Sequence, residues 1–463
     1  MSDDFEPQGV FDRAIVLHPE FAYEANARTS PERLAEAVGL TAAIGLTIDH
    51  ADVVRINDPR PATLFGSGKV DDIRALLDDL DPRPGLVIVN GLLTPVQHRN
   101  LEKAWHAKVL DRTALILEIF GERAQTKEGR LQVALAHLTY QRSRLVRSWT
   151  HLERQRGGAG FLGGPGERQI EADRRVLAGK IDRLKAEIEQ VRRTRTLQRA
   201  KRKKAPHPVI ALVGYTNAGK STLFNRMTGA SVMAEDLLFA TLDPTMRAVD
   251  LPGACRVILS DTVGFISNLP TDLIASFRAT LEEVLEADII LHVRDIAHPE
   301  SDAQRSDVLS VLKQIGVQDG DGQQVIEVWN KIDMIDADER VNLMAISKLR
   351  TETSDASLDE PVIVPVSAVS GQNVEQLYAA IDALLTQDYN AYAVIIGDQD
   401  GAAEAWLHAH GDVVSTADAD EDNARSLTVR LSEKSAGQFR SKFDVALKTA
   451  ANGSFGSTRQ SVA

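Results

Sequence analysis

Short apolar runs alternate with amphipathic stretches over the first quarter of the chain. Ala14–Leu17, Val53–Ile56, Leu86–Val89 and Lys108–Leu110 have strand length, and Pro31–Val38 and Val70–Leu80 between them carry helical periodicity. That alternation predicts a small α/β domain with a parallel sheet, running from Ala14 to about Phe120. Residues 1–12 are polar and expected to be loose.

The period then changes. Leu131, Leu135, Leu138, Arg142, Leu145, Trp149 and Leu152 step by fours and threes, as do Leu177, Ile181, Leu184, Ile188 and Val191, with Ile170 one heptad before Leu177. These are heptad seams on two long helices. Gly157–Gly166, rich in glycine, breaks them, so the segment predicts an antiparallel helical hairpin. Phe161 and Leu162 at the break have little around them to bury against. They either fold back as part of a flexible turn or probe a partner.

After the basic linker Lys201–Lys204, strands of buried type recur at Val209–Val213, Val257–Leu259, Ile289–Val293, Val325–Val328 and Val362–Val366. Helical stretches between them make this a doubly wound α/β domain, with the polar run Thr351–Glu360 as an internal loop. Strand candidates Ala391–Ile396 and Leu427–Leu431 suggest a small α+β tail, and the end from Asn452 looks disordered. The predicted division is 1–125 (α/β domain), 126–205 (hairpin and linker), 206–389 (doubly wound domain) and 390–463 (α+β tail).

Composition changes this picture in two ways. The single cysteine, Cys255, excludes a disulfide framework, and no window approaches the ~20 apolar residues of a membrane span. With no signal peptide in view, a cytoplasmic protein is expected. Net charge is −13, yet residues 142–204 hold 19 Lys and Arg against 7 Asp and Glu. An acidic chain with one concentrated basic segment aims that segment at a polyanion, unless the charge is only a solvated helix face.

The chemistry lies in the doubly wound domain. Gly214-Tyr215-Thr216-Asn217-Ala218-Gly219-Lys220-Ser221, followed by Thr222, matches the P-loop pattern, after a strand and opening a helix. Such a turn aims backbone N–H groups at phosphates, with the helix N-terminus adding positive potential. Lys220 is placed to reach the β- and γ-phosphates, and Ser221 to ligate Mg²⁺. Asp261-Thr262-Val263-Gly264 ends a strand: Asp261 reaches the Mg²⁺ shell through water, and the Gly264 N–H is placed for the γ-phosphate. Asn330-Lys331-Ile332-Asp333 ends the next but one. Asp333 can accept from guanine N1 and N2, a donor pair adenine lacks, while Asn330 braces the loop and the Lys331 stem lies over the ring. Ser367-Ala368-Val369 offers the Ala368 N–H to guanine O6. Four short motifs in order, each at a strand's C-terminal end, point to GTP and GDP. A P-loop G domain with GTPase activity is the reading.

Phe239-Ala240-Thr241-Leu242-Asp243 supplies Thr241, 20 residues past Ser221, as the switch threonine completing Mg²⁺ coordination, with Thr245 as rival. Lys220, Thr241 and Gly264 form the expected catalytic set. Phe265 follows Gly264 where Ras-like switches carry a water-orienting glutamine, so slow intrinsic hydrolysis is expected. Asn217 suits a K⁺ ion near the phosphates. Phe65-Gly66-Ser67-Gly68-Lys69-Val70 looks phosphate-friendly, but Thr63 and Val70 break the P-loop pattern, which favours an ordinary turn.

These motifs, with Leu110-Asp111-Arg112-Thr113 and Gly163-Gly164-Pro165-Gly166-Glu167-Arg168-Gln169-Ile170-Glu171, resemble the HflX family of the Obg-HflX GTPases over roughly residues 14–390. The resemblance implies a protein that binds the large ribosomal subunit, splits stalled ribosomes and is stimulated by ribosomes; a monomer is expected, although the sequence does not give the oligomeric state. It also implies that the N-terminal domain and the hairpin contact ribosomal RNA, the glycine-rich tip entering the peptidyl-transferase region. A GTP-timed switch acting on another RNA or protein, and an ATP-driven RNA remodeller, are the alternatives.

Overall fold

The computed structural model describes residues 9–22, 29–155, 165–202, 207–229, 245–252, 256–267, 283–317, 323–387, 389–397, 399–418 and 425–449. The first domain runs β1 (Val10–Phe21), α1 (Ser30–Ala42), β2 (Thr47–Ile56), α2 (Ser67–Asp79), β3 (Pro84–Val89), α3 (Pro95–Trp105), β4 (Lys108–Asp111) and α4 (Arg112–Arg123). Its sheet is parallel, in the order β2-β1-β3-β4. Helices cover both faces, so the strands are continuously apolar rather than alternating. In β1, Ala14 and Val16 face one core with α1 and α4, while Ile15 and Leu17 face the other with α2 and α3. Strand β1 begins at Val10, so Val10–Asp12 are ordered, not loose.

Helices α5 (Lys127–Gln155) and α6 (Pro165–Arg202) pack against each other. The nine residues between them reach roughly 35 Å at most, less than the roughly 43 Å of α5, so the pairing is antiparallel. Along α6 the seam residues Leu177, Ile181, Leu184, Ile188 and Val191, together with Ala178, are the shielded ones among otherwise exposed described neighbours. Helix α5 is different. Val133 and Ala136, off the heptad seam, are buried in the first domain's core, because this helix also docks on α4. The side chains of Leu145, Trp149, Leu152 and Ile170, and all of Phe161 and Leu162, lie outside the described residues.

The third domain comprises β5 (Val209–Gly214), α7 (Lys220–Thr228), β6 (Thr245–Asp250), β7 (Arg256–Asp261), β8 (Ile289–Asp295), α8 (Ser301–Ile315), β9 (Gln324–Asn330), α9 (Ala337–Thr353), β10 (Val362–Pro365) and α10 (Val374–Leu385). The sheet order is β10-β9-β8-β5-β7-β6, parallel except for β6 against β7. Strand β6 was not expected from the sequence, and α9 continues to Thr353, shortening the expected loop to about Ser354–Glu360. The first core of the N-terminal domain continues without a break into this domain through Tyr215, Val263, Phe265 and Ile266.

The tail runs β11 (Tyr389–Ile396), α11 (Gly401–His410), β12 (Asp412–Asp418), β13 (Arg425–Ser432), α12 (Glu433–Lys442) and β14 (Leu447–Thr449). This βαββαβ order, with an antiparallel sheet β12-β13-β11-β14, is a split βαβ arrangement around Trp406, Leu407 and Phe439. Among the described residues no helix is long and apolar enough to cross a membrane.

Candidate nucleotide site

All the described motifs converge at the C-terminal edge of the β10-to-β6 sheet, as open α/β sheets require of a binding crevice. The loop Gly214–Ser221 links β5 to α7. Asn217 sits at φ 59°, a left-handed conformation that asparagine tolerates better than most residues. Gly219 is at φ 90°, and a Cβ there would lie 2.2 Å from the Asn330 side chain, so only glycine fits. Lys220 is buried, its Nζ donating to Gly214 O (3.2 Å) and Tyr215 O (2.8 Å). Those two carbonyls hold the ammonium beside the loop and leave a hydrogen for an incoming phosphate. Burial pushes its pKa down to about 8, partly opposed by Asp261.

Ser221 Oγ donates to Asp261 Oδ2 at 2.8 Å, placing a hydroxyl and a carboxylate side by side. Hard oxygen donors of this kind suit Mg²⁺. Thr262 Oγ1 donates to Leu212 O (2.5 Å), pinning the strand end. The next residues close on the P-loop: Phe265 N–H donates to Gly214 O (3.0 Å), and Thr216 N–H to Phe265 O (2.7 Å). A Cβ on Gly264 would fall 2.9 Å from Thr216 Cγ2 and 3.0 Å from Lys220 Nζ, so a side chain there would press on the P-loop. Phe265 is 2% exposed and belongs to the shared apolar core. Its ring is therefore enclosed among apolar side chains and offers no face to solvent.

Asn330 ties the site together. Its Nδ2 donates to Ala218 O (2.8 Å) and its Oδ1 accepts the Ala368 N–H (3.0 Å), joining the P-loop to the Ser367–Val369 loop. The Ala368 N–H, assigned from sequence to guanine O6, is thus engaged by Asn330 here. Ser367 Oγ accepts from Ser370 N (3.1 Å), and Val369 is exposed. Lys331 at φ 66° pairs with Asp295 Oδ2 (2.7 Å), and Asp333 is exposed in the turn Ile332–Met334. Four contributors were given no role at the site by the sequence reading. Asp295 steadies Lys331. Arg226 on α7 donates from Nε to Ala368 O (3.1 Å) and from Nη2 to Val369 O. Glu36 and Arg112 reach the site from the N-terminal domain. Of these, only Arg112 carried a signal, in the Leu110–Thr113 stretch. Phe239, Ala240, Thr241, Leu242 and Asp243 lie outside the described residues, whereas Thr245 opens β6.

In the glycine-rich turn of the N-terminal domain, Lys69 pairs with Asp52 (3.1 Å), and Gly66 stands at the N-cap of α2.

Four family models match in succession: a GTP-binding GTPase N-terminal model over residues 31–121, its middle region over 123–202, a 50S ribosome-binding GTPase over 209–331, and an HflX C-terminal domain over 353–452. GTPase HflX of Magnetococcus marinus is 47% identical over 415 residues, 89% of this chain and 90% of its own. GTPase HflX of Escherichia coli is 38% identical over 92% of this chain and 95% of its own. The chain belongs to the HflX family of GTPases. It binds guanine nucleotide and hydrolyses GTP. A GTP-binding protein from Sulfolobus solfataricus solved with GDP aligns with 81% of this HflX chain and 99% of its own, at 23% identity and TM-score 0.44. The HflX C-terminal model begins at residue 353, but β10 belongs to the third domain's sheet. The fold therefore sets the start of the tail near Tyr389.

Proposed function

We propose that this GTPase binds the large ribosomal subunit and its ribosomal RNA, and dissociates or rescues stalled ribosomes. The observation that carries the reading is the basic surplus of residues 142–204, which falls on the paired helices α5 and α6 of a chain with net charge −13. Phosphate backbones attract such a stripe, and the matching G-domain model describes a 50S ribosome-binding GTPase. Residues 1–125 and 126–205 make the ribosomal contacts, 206–389 the nucleotide site, and the role of 390–463 is open to assignment by deletion.

Within the site, the P-loop N–H groups and Lys220 hold the β- and γ-phosphates, and Asp333 selects guanine. Ala368 and Val369 line the base, and the Gly264 N–H meets the γ-phosphate. Ser221, Asp261 through water, and Thr241 would hold Mg²⁺, which when bound neutralises charge developing on the phosphates. Asn217 would hold K⁺. A turnover rate indifferent to exchange of Na⁺ for K⁺ would remove that cation from the proposal. Because Phe265 is buried, no side chain directly after Gly264 orients water, and the ribosome completes the catalytic arrangement. The chain is taken to act as a cytoplasmic monomer.

GTP turnover with and without purified large subunits, in K⁺ buffer, tests the proposal. Strong, salt-sensitive stimulation supports it. GTP binding without stimulation would instead favour a GTP-timed switch on another RNA or protein. ATPase activity surviving Lys220→Ala would favour the ATP-driven remodeller.

A further inference from the structure

Glu36 and Arg112 belong to the N-terminal domain, yet their charged ends meet two loops of the G domain. Glu36, on α1, accepts a hydrogen bond from the Tyr215 hydroxyl at Oε1. Its Oε2 accepts from Ser267 Oγ (2.8 Å) and Arg112 Nη2 (3.0 Å). Arg112, which opens α4, also donates from Nη2 to Ser267 O (3.0 Å) and Ser267 Oγ (2.8 Å), and from Nη1 to Asn90 Oδ1 (2.7 Å). The Ser267 backbone N–H donates to the Tyr215 hydroxyl (2.7 Å) and closes the ring.

The positions of the two G-domain members matter. Tyr215 is the second residue of the P-loop, and Ser267 lies three residues past Gly264. One carboxylate from outside the G domain therefore bridges the loop that holds the phosphates and the loop that senses the γ-phosphate. The Arg112 and Glu36 side chains are 9% and 11% exposed, and Ser267 is 7% exposed, so water does not replace a lost partner easily. Removing one member of such a network strands a buried charge, which makes the cluster close to all-or-none. Gly264 and Ser267 stand three residues apart on one loop, and Ser267 is held by the N-terminal domain.

We propose that Glu36 and Arg112 are positioning residues of the GTPase site, setting the approach of Gly264 to the γ-phosphate through Ser267 and Tyr215. This rests on the assignment of Gly214–Ser221 and Asp261–Gly264 to the phosphates.

The test uses the full chain carrying Glu36→Ala, Glu36→Gln or Arg112→Lys. Affinities for a fluorescent GDP and a non-hydrolysable GTP analogue are measured with single-turnover hydrolysis. A coupling of ordinary size shifts the ratio of the two affinities, and the hydrolysis rate, by about tenfold in Glu36→Ala and Arg112→Lys. GDP affinity stays within about threefold, since GDP has no γ-phosphate to report on Gly264. Glu36→Gln keeps acceptor oxygen for Tyr215 or Ser267 and recovers part of the loss. An unchanged ratio and rate overturn the proposal, leaving a purely structural joint. Equal loss of both affinities overturns it too, since that means general damage to the P-loop. Should Glu36→Ala not fold, Arg112→Lys decides by the same criteria. Failure of the unmodified protein to bind GDP would sink the site assignment itself, a distinct outcome.

Discussion

Replacing Asn330 by alanine removes one side chain and uncouples two loops. Asn330 is 2% exposed, and its hydrogen bonds to Ala218 O and from Ala368 N have no water to replace them. Each stranded backbone group costs about 1–3 kcal/mol, so the substitution costs about 2–4 kcal/mol if the site relaxes slightly. The void beside Gly219 adds to this, because the asparagine amide fills the space where a Cβ would sit. If the loops stay folded in the empty protein, the penalty appears in binding: about 3 kcal/mol corresponds to roughly 100-fold weaker GDP. If the loops come apart, it appears as a lower unfolding midpoint, on the order of 5–10 °C for a domain of this size. Titration of a fluorescent GDP together with a thermal melt of the same preparation captures both. A Kd within threefold of the parent and an unshifted midpoint would refute the bracing role. Asn330→Asp separates the two bonds, keeping the acceptor for Ala368 while setting a carboxylate against Ala218 O.

Three further outcomes follow. Lys220 titrates near 8 in the empty site, and phosphates favour its charged form, so above pH 8 nucleotide binding takes up a proton and affinity falls with rising pH, while below it the effect vanishes. The unfolded chain holds that proton more tightly, so this group makes the empty fold more stable from about pH 8 toward 10.5; calorimetry in buffers of different ionisation heat detects the uptake, and none at pH 9 contradicts the burial argument. Phe265→Gln places an amide in the shared core, so turnover should fall and stability drop by about 3 kcal/mol or more; faster hydrolysis by this variant would show that the position does face the water. Arg226→Ala frees the Ala368 and Val369 carbonyls at a half-exposed site, for about 1 kcal/mol and a roughly fivefold weaker affinity for guanine nucleotides at equilibrium, with no effect expected on hydrolysis of bound GTP.

The P-loop was legible because its chemistry needs contiguous residues: a turn, a lysine and a hydroxyl in fixed order after a strand. Asn330–Asp333 was legible for the same reason. Glu36 was not, because a single charge on an amphipathic helix looks the same facing solvent or a neighbouring domain, and Arg112 stood out only as part of the Leu110–Thr113 stretch, with no role attached. The heptads of α6 showed its shielded face, whereas α5 hid a second one, Val133 and Ala136 being small apolar residues that fit a helix exposed or buried. Strand β6 escaped notice since only Val249 in it is buried. In the tail, β12 is mostly polar on an edge, so the split βαβ order emerged only when its four strands were paired.

Asp111 caps α4 by accepting Ala114 N–H (2.8 Å), and it also accepts the Tyr140 hydroxyl (2.8 Å) and faces Arg144 (3.6 Å) on α5. Helix α5 is thus pinned near its middle by the residue next to Arg112, whose guanidinium grips Ser267. A stiff rod anchored along one half, here through Val133, Ala136 and Tyr140, carries a tilt of that half to its far end as a lever does. From Tyr140 to Gln155 the free arm measures roughly 22 Å, so a tilt of about 10° at the pin sweeps the far end through about 4 Å. Adjustments too small to repack the G domain would arrive at the end of a basic arm as a stroke comparable to the rise of a base pair.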